Sequence, residues 1–260
     1  MTDPPDRTDT AGVGGPGPSA ASPSEAAPRS ADPAPVPDSL RLGIFGGTFD
    51  PVHNGHINSA LQVAEAFKLD RVLLIVAAVP PHKSEARPAP AAQRHAMVQL
   101  AVADHPILEA SELELTREGP SYTYDTVVEL TALYPRSRLF LILGADAYAE
   151  IDSWHRPADI WAFANLIVTS RAGYDHYPTT PEPFFAAKTV SRYDPEVGGY
   201  LHSSGHTLTG FDLKPLDVSA SEIRNRLGRS QAVAGMLASS VERYIRDQGI
   251  YGAEKDSPPS

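Results

Sequence analysis

The amino-acid sequence predicts an α/β protein with a Rossmann-like, doubly wound parallel sheet, folded as a single domain with a small C-terminal helical part. Short apolar segments rich in β-branched residues recur along the chain, as in parallel strands that are covered on both faces. Segments with apolar residues at helical spacing separate them, which is the order of βαβ units. A hydrophobic content of 42% in 260 residues is enough for a sizeable core.

Composition excludes several classes of function. The net charge is −10 and no basic cluster is present, which argues against a broad surface for nucleic acid or anionic membrane, because such surfaces rely on Lys and Arg. The chain has no cysteine, so disulfides, thiolate nucleophiles and cysteine-based zinc sites are excluded. No apolar run reaches the roughly 18 residues of a membrane span. We therefore expect a soluble, cytoplasmic protein with no nucleic-acid or membrane partner.

The chain divides by composition into three parts. Residues 1–39 contain nine of the 25 prolines and no aromatic residue, so they bury too little apolar surface to offset the entropy of ordering. We predict that they form a disordered Pro/Ala-rich tail, with a docking segment as the alternative. The folded domain is predicted over residues 40–252 and a flexible C-terminus over residues 253–260.

The first βα unit spans residues 42–57, LGIFGGTFDPVHNGHI. Residues 42–45 predict a buried strand that ends at Gly46 and Gly47, where the absence of a Cβ allows a tight turn or the close approach of a ligand. Asn54 is a candidate N-cap for the helix that follows. A strand, a glycine turn and a helix in this order direct helix N–H groups and the positive end of the helix dipole toward the edge of the sheet, an arrangement that suits phosphate.

His53 and His56 lie at the start of the same helix and admit three interpretations. The pattern H-x-x-H beside Asp50 could hold a metal, although no third ligand is evident and a zinc pair on a helix more often has i, i+4 spacing. The two histidines could merely cap the helix. We favour a third interpretation, in which both imidazoles and a row of backbone amides cradle a polyphosphate. The glycines match neither the G-x-G-x-x-G fingerprint nor the Walker loop.

Further strands and helices follow in alternation. Strands are predicted at residues 71–76, 107–115, 138–143, 165–170 and 207–216. Helices are predicted at residues 92–103, from residue 127 after the segment GPSYTYDT, and at residues 151–162, 217–227 and 240–248. Residues 173–205 show no sustained periodicity, and loops of this length are usually functional or mobile. We expect a surface insertion there that acts as a lid or a subunit contact.

Polar side chains follow several of these elements at the carboxyl edge of the predicted sheet, where open α/β sheets bind ligands. The candidates are Lys83 in a proline-rich loop, the hydroxyls within residues 119–126, and Asp146 after a strand. Trp154 follows two polar residues and is a candidate for stacking on a flat ring, whereas Trp161 is expected in the core.

The helix near the C-terminus carries a second set of candidates. Ser219 and Glu222 have the spacing of a capping box, which explains them structurally. Ser221 and Arg224 lie in the first turns of the same helix, where a hydroxyl, a guanidinium and the helix dipole converge. A planar guanidinium suits phosphate oxygens, so this helix predicts a second phosphate-binding face.

The segment GGTFDPVHNGH resembles the signature of the nucleotidyltransferase superfamily with an H-x-G-H motif, whose members transfer an adenylyl or cytidylyl group onto a phosphate. With PPHK, SYTYDT, GAD before Trp154, and VSASEIR in this order, the chain is similar to the bacterial nicotinate mononucleotide adenylyltransferases. The resemblance covers about residues 42–251. It departs from the family at residues 218–224, where the usual I-S-S-T-x-I-R is V-S-A-S-E-I-R, and in the length of residues 173–205.

The resemblance implies a role for each matching position. The implied catalytic residues are His53, His56 and Arg224. The implied ATP-binding residues are Gly46, Thr48, Phe49, Lys83, Gly144, Asp146, Ser219 and Ser221. The implied receptors of the nicotinate ring and its carboxylate are Tyr122, Thr123 and Trp154. No protein metal site is implied, and Mg²⁺ would be carried with ATP.

The implied reaction is direct adenylyl transfer from ATP to nicotinate mononucleotide, which are the implied partners. The phosphate of the mononucleotide is already an anion at neutral pH, so it needs no general base, and the protein's task is to hold two repelling polyanions in line. The alternatives are nicotinamide mononucleotide or phosphopantetheine as acceptor, or a catalytically silent nucleotide-binding regulator. The sequence leaves a homo-oligomer open.

Overall fold

A computed structural model of the chain describes residues 39–81, 88–170, 190–214 and 216–253. Nearly all of the predicted tail, the predicted flexible C-terminus after Ala253, and Lys83 lie outside these ranges. None of the helices within the described ranges is both long and apolar enough to cross a membrane.

The described part of the chain alternates strands and helices as predicted. Its strands are β1 Arg41–Gly47, β2 Arg71–Val76, β3 Leu108–Ser111, β4 Arg138–Gly144, β5 Asn165–Thr169, β6 Val190–Asp194, β7 Gly199–His202 and β8 Thr207–Phe211. Its helices are α1 Asn54–Ala66, α2 Ala91–Val102, α3 Thr123–Leu133, α4 Ala145–Ala149, α5 Pro157–Phe163, α6 Ala220–Leu227 and α7 Ser239–Gln248.

The strands form one sheet in the order β3-β2-β1-β4-β5-β8-β7-β6. The six strands from β3 to β8 in this order pair in parallel, which confirms the predicted α/β fold with a central parallel sheet. Strands β7 and β6 add antiparallel pairs at one edge. This hairpin falls in residues 173–205, where no regular structure was predicted, and residues 171–189 lie outside the described ranges.

Helices cover both faces of the sheet. Along β2, Val72 and Leu74 belong to the core on one face, while Leu73 and Ile75 belong to the core on the other, because successive side chains of a strand point to opposite faces. Helices α1, α2, α6 and α7 pack on the first face and α3, α4 and α5 on the second. Burial on both faces explains why the parallel strands are apolar throughout.

The first strand is longer than predicted. It continues through Gly46 and Gly47, which pair with Ile75 and Val76 of β2. The prediction that the strand breaks on reaching Gly46 was wrong, because parallel pairing satisfies the backbone of a residue whatever its side chain. The chain turns only after Thr48, and the turn contains Phe49 at a φ of 49°.

Residues 151–162 do not form the single helix that was predicted. The structure has a 3-10 turn at Ile151–Ser153 and then α5, which begins at Pro157. Arg156 separates them with a left-handed backbone, φ 52°. Proline disfavours helical conformation in the residue before it and is tolerated at the first position of a helix, so Pro157 starts a new helix instead of continuing one.

The topology places a crevice between β1 and β4. From β1 the chain proceeds outward to β2 and β3 on one side, and it later returns to β4 and β5 on the other. Such a reversal of strand order is where open parallel sheets bind ligands, outside the carboxyl ends of the strands. The ends of β1 and β4 are Gly47 and Gly144.

Candidate active site

A cleft of about 330 Å³ opens at the carboxyl ends of β1 and β4. Its wall includes six of the residues predicted for the site: Gly46, Thr48, Tyr122, Thr123, Gly144 and Trp154. These residues come from three separate regions of the sequence, and the topology of the sheet brings them together.

The start of α3 is tied to the loop after β2. Ser121 donates its backbone N–H to the carbonyl oxygen of Val79 (2.9 Å), and its Oγ accepts from the backbone N–H of Val79 (3.2 Å). The hydroxyl of Ser121 therefore has a structural task. The two hydrogen bonds between Ser121 and Val79 fix the position of Tyr122 and Thr123 in the cleft wall.

A buried carboxylate lies in the cleft wall beneath α3. Glu114 is 7% exposed, and its Oε1 accepts a hydrogen bond from Oγ1 of Thr126 (2.5 Å). Arg117 donates to the same Thr126 Oγ1 (2.9 Å) and lies 3.7 Å from Glu114. The charge of Glu114 is thus compensated locally, as a buried carboxylate requires, and the network holds the first turn of α3. Sequence reasoning assigned no role to Glu114 or Arg117.

Aromatic rings form the wall of the cleft opposite β1. Tyr122 stacks on the imidazole of His155, with ring centroids 4.5 Å apart. Trp154 lies beside them in the wall, and Trp161 is 1% exposed in the core, as expected. A flat, apolar wall of this kind suits an aromatic ring.

His53 and His56 lie together at the start of α1. Their rings stack, with centroids 3.8 Å apart and planes 27° from parallel. Nδ1 of His56 accepts from the backbone N–H of His53 (3.2 Å), so a neutral His56 carries its ring proton on Nε2. The N-cap is His53 and not Asn54. The prediction for Asn54 was wrong by one residue because its side chain instead donates to the carbonyl oxygen of Gly235 (2.9 Å).

The segment before α6 runs alongside α1. Asn58 and Gln62 of α1 donate to the carbonyl oxygen of Lys214 at 2.9 and 3.1 Å. A Cβ at Gly55 would lie 2.9 Å from Nδ1 of His53 and 3.7 Å from the carbonyl oxygen of Val218. The start of α6 is therefore adjacent to the histidine pair, although about 160 residues separate them in the sequence.

Helix α6 begins at Ala220, three residues later than predicted. Half of the predicted capping box is present, because Oγ of Ser219 accepts from the backbone N–H of Glu222 (3.2 Å). The Glu222 carboxylate accepts from Arg226 (2.7 Å) on the helix surface. Oγ of Ser221 accepts from Nη2 of Arg224 (3.3 Å).

Arg224 joins α6 to the loop after β1. Its Nη1 donates to the backbone carbonyl oxygen of Asp50 (2.6 Å) and lies 3.9 Å from Oδ2 of the same residue. Asp50 precedes His53 by three residues, so a guanidinium, two imidazoles and the start of α1 share one corner of the fold. The structure thus brings Arg224 beside the predicted phosphate cradle.

Seven of the predicted residues lie outside the cleft wall: His53, His56, Ser219, Ser221 and Arg224, described above, and Phe49 and Asp146. The ring of Phe49 is 3% exposed and lies 5.0 Å from the ring of His56, so it supports the histidine from within the core. Asp146 lies in the first turn of α4, and a Cβ on Gly144 would clash with its carboxylate. The absence of a side chain on Gly144 therefore gives Asp146 its position.

Sequence reasoning missed Arg94, the most deeply buried charged residue among those the structure describes. It is 1% exposed and donates to the carbonyl oxygens of Thr48 (2.7 Å) and Ala89 (2.7 Å). A signal was present, because Arg94 precedes Met97, Val98 and Ala101 at the spacing of the buried face of α2. A charged residue on that face indicates a buried partner.

The chemistry of this region combines cationic donors with an apolar wall. Arg224, the imidazole donors and helix N-termini suit phosphate oxygens, while Tyr122, Trp154 and His155 suit a flat ring. Within the described residues no cluster of three or more His, Asp or Glu side chains could hold a metal ion by itself. The arrangement fits a molecule with a ring at one end and phosphate at the other.

Comparison with known proteins agrees with this geometry. Residues 44–226 match the cytidylyltransferase-like family. A probable nicotinate-nucleotide adenylyltransferase of Thermus thermophilus is 40% identical over 212 residues, covering 82% of this chain and 100% of that protein. A probable nicotinate-nucleotide adenylyltransferase of Citrifermentans bemidjiense is 39% identical over 212 residues, covering 82% of this chain and 98% of that protein.

The fold also has a solved counterpart. The nicotinic acid mononucleotide adenylyltransferase of Plasmodium falciparum, in its complex with NaAD, superposes with a TM-score of 0.61 at 16% identity. The match covers 82% of this chain and 98% of that one. At this identity the likeness concerns the fold.

Proposed function

Because the chain belongs to the cytidylyltransferase-like family and, within it, to the nicotinate-nucleotide adenylyltransferases, we propose that it transfers the adenylyl group of ATP to nicotinate mononucleotide. The products are nicotinate adenine dinucleotide and pyrophosphate. The observation that carries the proposal is that the loop after β1 connects two groups of residues. Thr48 lines the cleft together with the aromatic rings of Tyr122 and Trp154, and the carbonyl oxygen of Asp50, two residues on, holds Arg224. The stacked pair His53 and His56 follows at the start of α1.

The reaction is a single displacement at phosphorus. An oxygen of the mononucleotide phosphate forms a bond to the α-phosphorus of ATP while the bond from that phosphorus to the bridging oxygen of the β-phosphate breaks. The attacking oxygen is already deprotonated at neutral pH, so no proton has to be removed. The protein contributes alignment and neutralisation of the charge that develops on the leaving pyrophosphate.

His53, His56 and Arg224 supply that neutralisation in the proposal. His56 presents Nε2–H because its Nδ1 accepts from the backbone N–H of His53. Arg224 uses one side of its guanidinium to hold the carbonyl of Asp50 (2.6 Å), and the remaining donors of the fork serve phosphate oxygens. Ser219 and Ser221 hold the start of α6 and the Arg224 side chain at the triphosphate.

The cleft wall supports most of the nucleoside and ring contacts in the proposal. Gly46 and Thr48 border ATP, with Phe49 acting through the packing of His56, and Gly144 and Asp146 lie near a ribose. Tyr122 and Thr123 at the start of α3 receive the nicotinate carboxylate, and Trp154 stacks on its ring. Lys83, predicted from the sequence to hold phosphates, stays part of the proposal.

Magnesium enters the proposal as the companion of ATP. Mg²⁺ prefers phosphate oxygens, waters and one or two carboxylates to a cage of protein ligands, and the described residues offer no such cage. When bound, the ion would neutralise phosphate charge during the transfer, with Asp146, two residues after the end of β4, as the candidate carboxylate. The reaction is placed in the cytoplasm, as predicted from the sequence.

The test is pyrophosphate release from Mg-ATP with one acceptor at a time. Nicotinate mononucleotide should give the highest kcat/KM, and formation of the dinucleotide should equal the pyrophosphate released. A higher kcat/KM with nicotinamide mononucleotide or phosphopantetheine would assign the chain to that acceptor instead. ATP binding without turnover on any acceptor would identify a silent nucleotide-binding regulator.

A further inference from the structure

The carboxylate of Asp50 connects the loop after β1 to two distant parts of the chain. Its Oδ1 accepts from the hydroxyl of Tyr251 (2.6 Å) and from the backbone N–H of Ala89 (3.0 Å). The Asp50 side chain is only 14% exposed. A carboxylate so nearly buried needs these donors to offset its desolvation.

Tyr251 reaches Asp50 from the last described turn of the chain. Helix α7 ends at Gly249, which has a left-handed φ of 63°, and Tyr251 follows with a φ of 61°. Burial raises the pKa of its phenol, and the hydrogen bond to Asp50 raises it further. The phenol is therefore a donor throughout the neutral range, and an unusual backbone conformation brings it to the carboxylate.

Arg94 ties the loop that carries Asp50 to the connection between β2 and α2. Its guanidinium donates to the carbonyl oxygens of Thr48 and Ala89, both at 2.7 Å, and to that of Ala78 at 3.4 Å. Burial lowers the pKa of Arg94 and the nearby charge of Asp50 opposes that effect. A buried cation with three carbonyl acceptors thus ties the loop after β1 to both described ends of the connection between β2 and α2.

The same loop carries the groups that the proposed transfer uses. Arg224 donates to the backbone carbonyl of Asp50 (2.6 Å). Thr48 borders the cleft, and His53 follows Asp50 by three residues. A shift of Asp50 would therefore have two effects at once. It would move the carbonyl oxygen that orients Arg224, and it would move the start of α1.

We propose that Asp50 and Tyr251, together with Arg94, are positioning residues for the adenylyl transfer. Tyr251 clamps the Asp50 carboxylate, Arg94 clamps the adjacent backbone, and the clamped loop sets the guanidinium of Arg224 and the histidine pair in line with the phosphates of ATP. Tyr251 thus takes part in activity without touching a substrate. This inference rests on the proposed function.

The test removes one hydroxyl. Tyr251→Phe keeps the ring and its packing but deletes the donor to Asp50, so kcat should fall about tenfold or more, because small misplacements of catalytic groups are costly. The KM for the mononucleotide should stay within about twofold of the wild type, because the ring wall is formed elsewhere. Tyr244→Phe is the matched control, since Tyr244 lies in α7 and its hydroxyl has no hydrogen-bond partner among the described residues; its kcat should equal that of the wild type.

Two further variants separate positioning from stability. Asp50→Asn keeps an oxygen acceptor for Tyr251 and should retain more kcat than Asp50→Ala, at a temperature at which circular dichroism shows all variants folded. Equal kcat for Tyr251→Phe and Tyr244→Phe in an active enzyme would overturn the inference. A wild type that releases no pyrophosphate with any acceptor would instead contradict the proposed function, and the inference would fall with it.

Discussion

Nδ1 of His56 accepts a hydrogen bond from the backbone N–H of His53 at 3.2 Å, and the two imidazole rings stack with their centroids 3.8 Å apart. One hydrogen bond thus caps α1 and also selects the tautomer of His56, because a nitrogen that accepts cannot carry the proton in the neutral ring. The capping interpretation and the phosphate interpretation of these histidines are therefore compatible: the cap orients the donor.

The cap and the donor of His56 can be separated by substitution. His56→Gln should keep a side chain able to reach back to the N-cap N–H, whereas His56→Ala loses the cap as well. We expect both to lower kcat on the order of 100-fold, and only His56→Ala to lower the midpoint of thermal unfolding. Pyrophosphate release and thermal melting measure the two effects, and near-normal turnover of His56→Gln would remove the imidazole from the proposed role.

The planar fork of Arg224 should matter more than its charge. Arg224→Lys keeps a cation but cannot hold the carbonyl of Asp50 and a phosphate oxygen at once, so kcat/KM for ATP should fall on the order of 100-fold. Arg226→Lys is the control, because Arg226 lies on the same helix and pairs with Glu222 at the surface. Equal losses in both variants would point to a general effect on α6.

Trp154 should contribute to binding of the acceptor and not to that of ATP. Trp154→Ala should raise the KM for nicotinate mononucleotide about tenfold, in keeping with the free energy of ring stacking, with the KM for ATP unchanged. Trp154→Phe retains a smaller ring and should recover part of the loss. Steady-state kinetics with each substrate varied in turn decides this, and an unchanged KM for the mononucleotide in Trp154→Ala would refute stacking.

The two adjacent glycines of β1 should respond differently to a methyl group. A Cβ at Gly46 would meet no atom within 4 Å, whereas a Cβ at Gly47 would lie 3.1 to 3.3 Å from the ring of Phe49. Gly46→Ala should leave stability unchanged and raise the KM for ATP, because the methyl would enter the cleft. Gly47→Ala should reduce the free energy of unfolding by about 1–3 kcal/mol through overpacking.

Urea unfolding and ATP kinetics of the two glycine variants provide the comparison. A lower stability of Gly46→Ala than of Gly47→Ala would contradict the assignment in which a side chain at position 46 points into the cleft and one at position 47 points at Phe49.

Two histidines of the β7–β8 hairpin should make stability depend on pH. Burial lowers the pKa of His202, and burial followed by the proximity of His202 lowers that of His206; the Ser204 hydroxyl lies 2.7 and 2.9 Å from their Nδ1 atoms. Below the ordinary value of 6.5 the unfolded chain binds more protons than the folded one, so the free energy of unfolding falls as pH decreases.

Urea titrations at about pH 7.5 and about pH 5.5 bracket the ordinary histidine pKa of about 6.5. The free energy of unfolding should be lower at the more acidic pH. A double variant, His202→Gln with His206→Gln, should lose less over the same interval. An identical loss in both proteins would show that these histidines do not contribute to the pH dependence.

Local patterns predicted the scaffold well where one physical signal dominated. The β-branched segment of β2 was predicted with its observed bounds, Arg71–Val76, because a strand buried on both faces has no polar positions to confuse it. The antiparallel hairpin of β6 and β7 was missed because its strands are short and carry mixed polar and aromatic residues. The bounds of α6 were missed because Asp217 and Val218 continue the apparent helical pattern beyond the cap at Ser219.

The candidate site was predicted residue by residue but not as a set of contacts. Motif spacing indicated Gly46, Trp154 and Arg224, yet it gave no sign that Asp50 accepts from Tyr251 across 201 positions of sequence. The partner of a buried polar group is chosen by packing, and packing depends on distant segments that local sequence does not specify.

By itself, the sequence determined the βαβ order and, to within one residue, the start of the first helix, because each depends on residues within one or two turns of one another. It indicated the family of chemistry through motifs spread over residues 42–251. Only the tertiary structure decided that Arg224 bonds the carbonyl of Asp50, that Arg94 is buried beneath Thr48, and that Tyr251 reaches the same loop. These contacts exist because a buried charge must find its hydrogen-bond partners wherever the fold brings them.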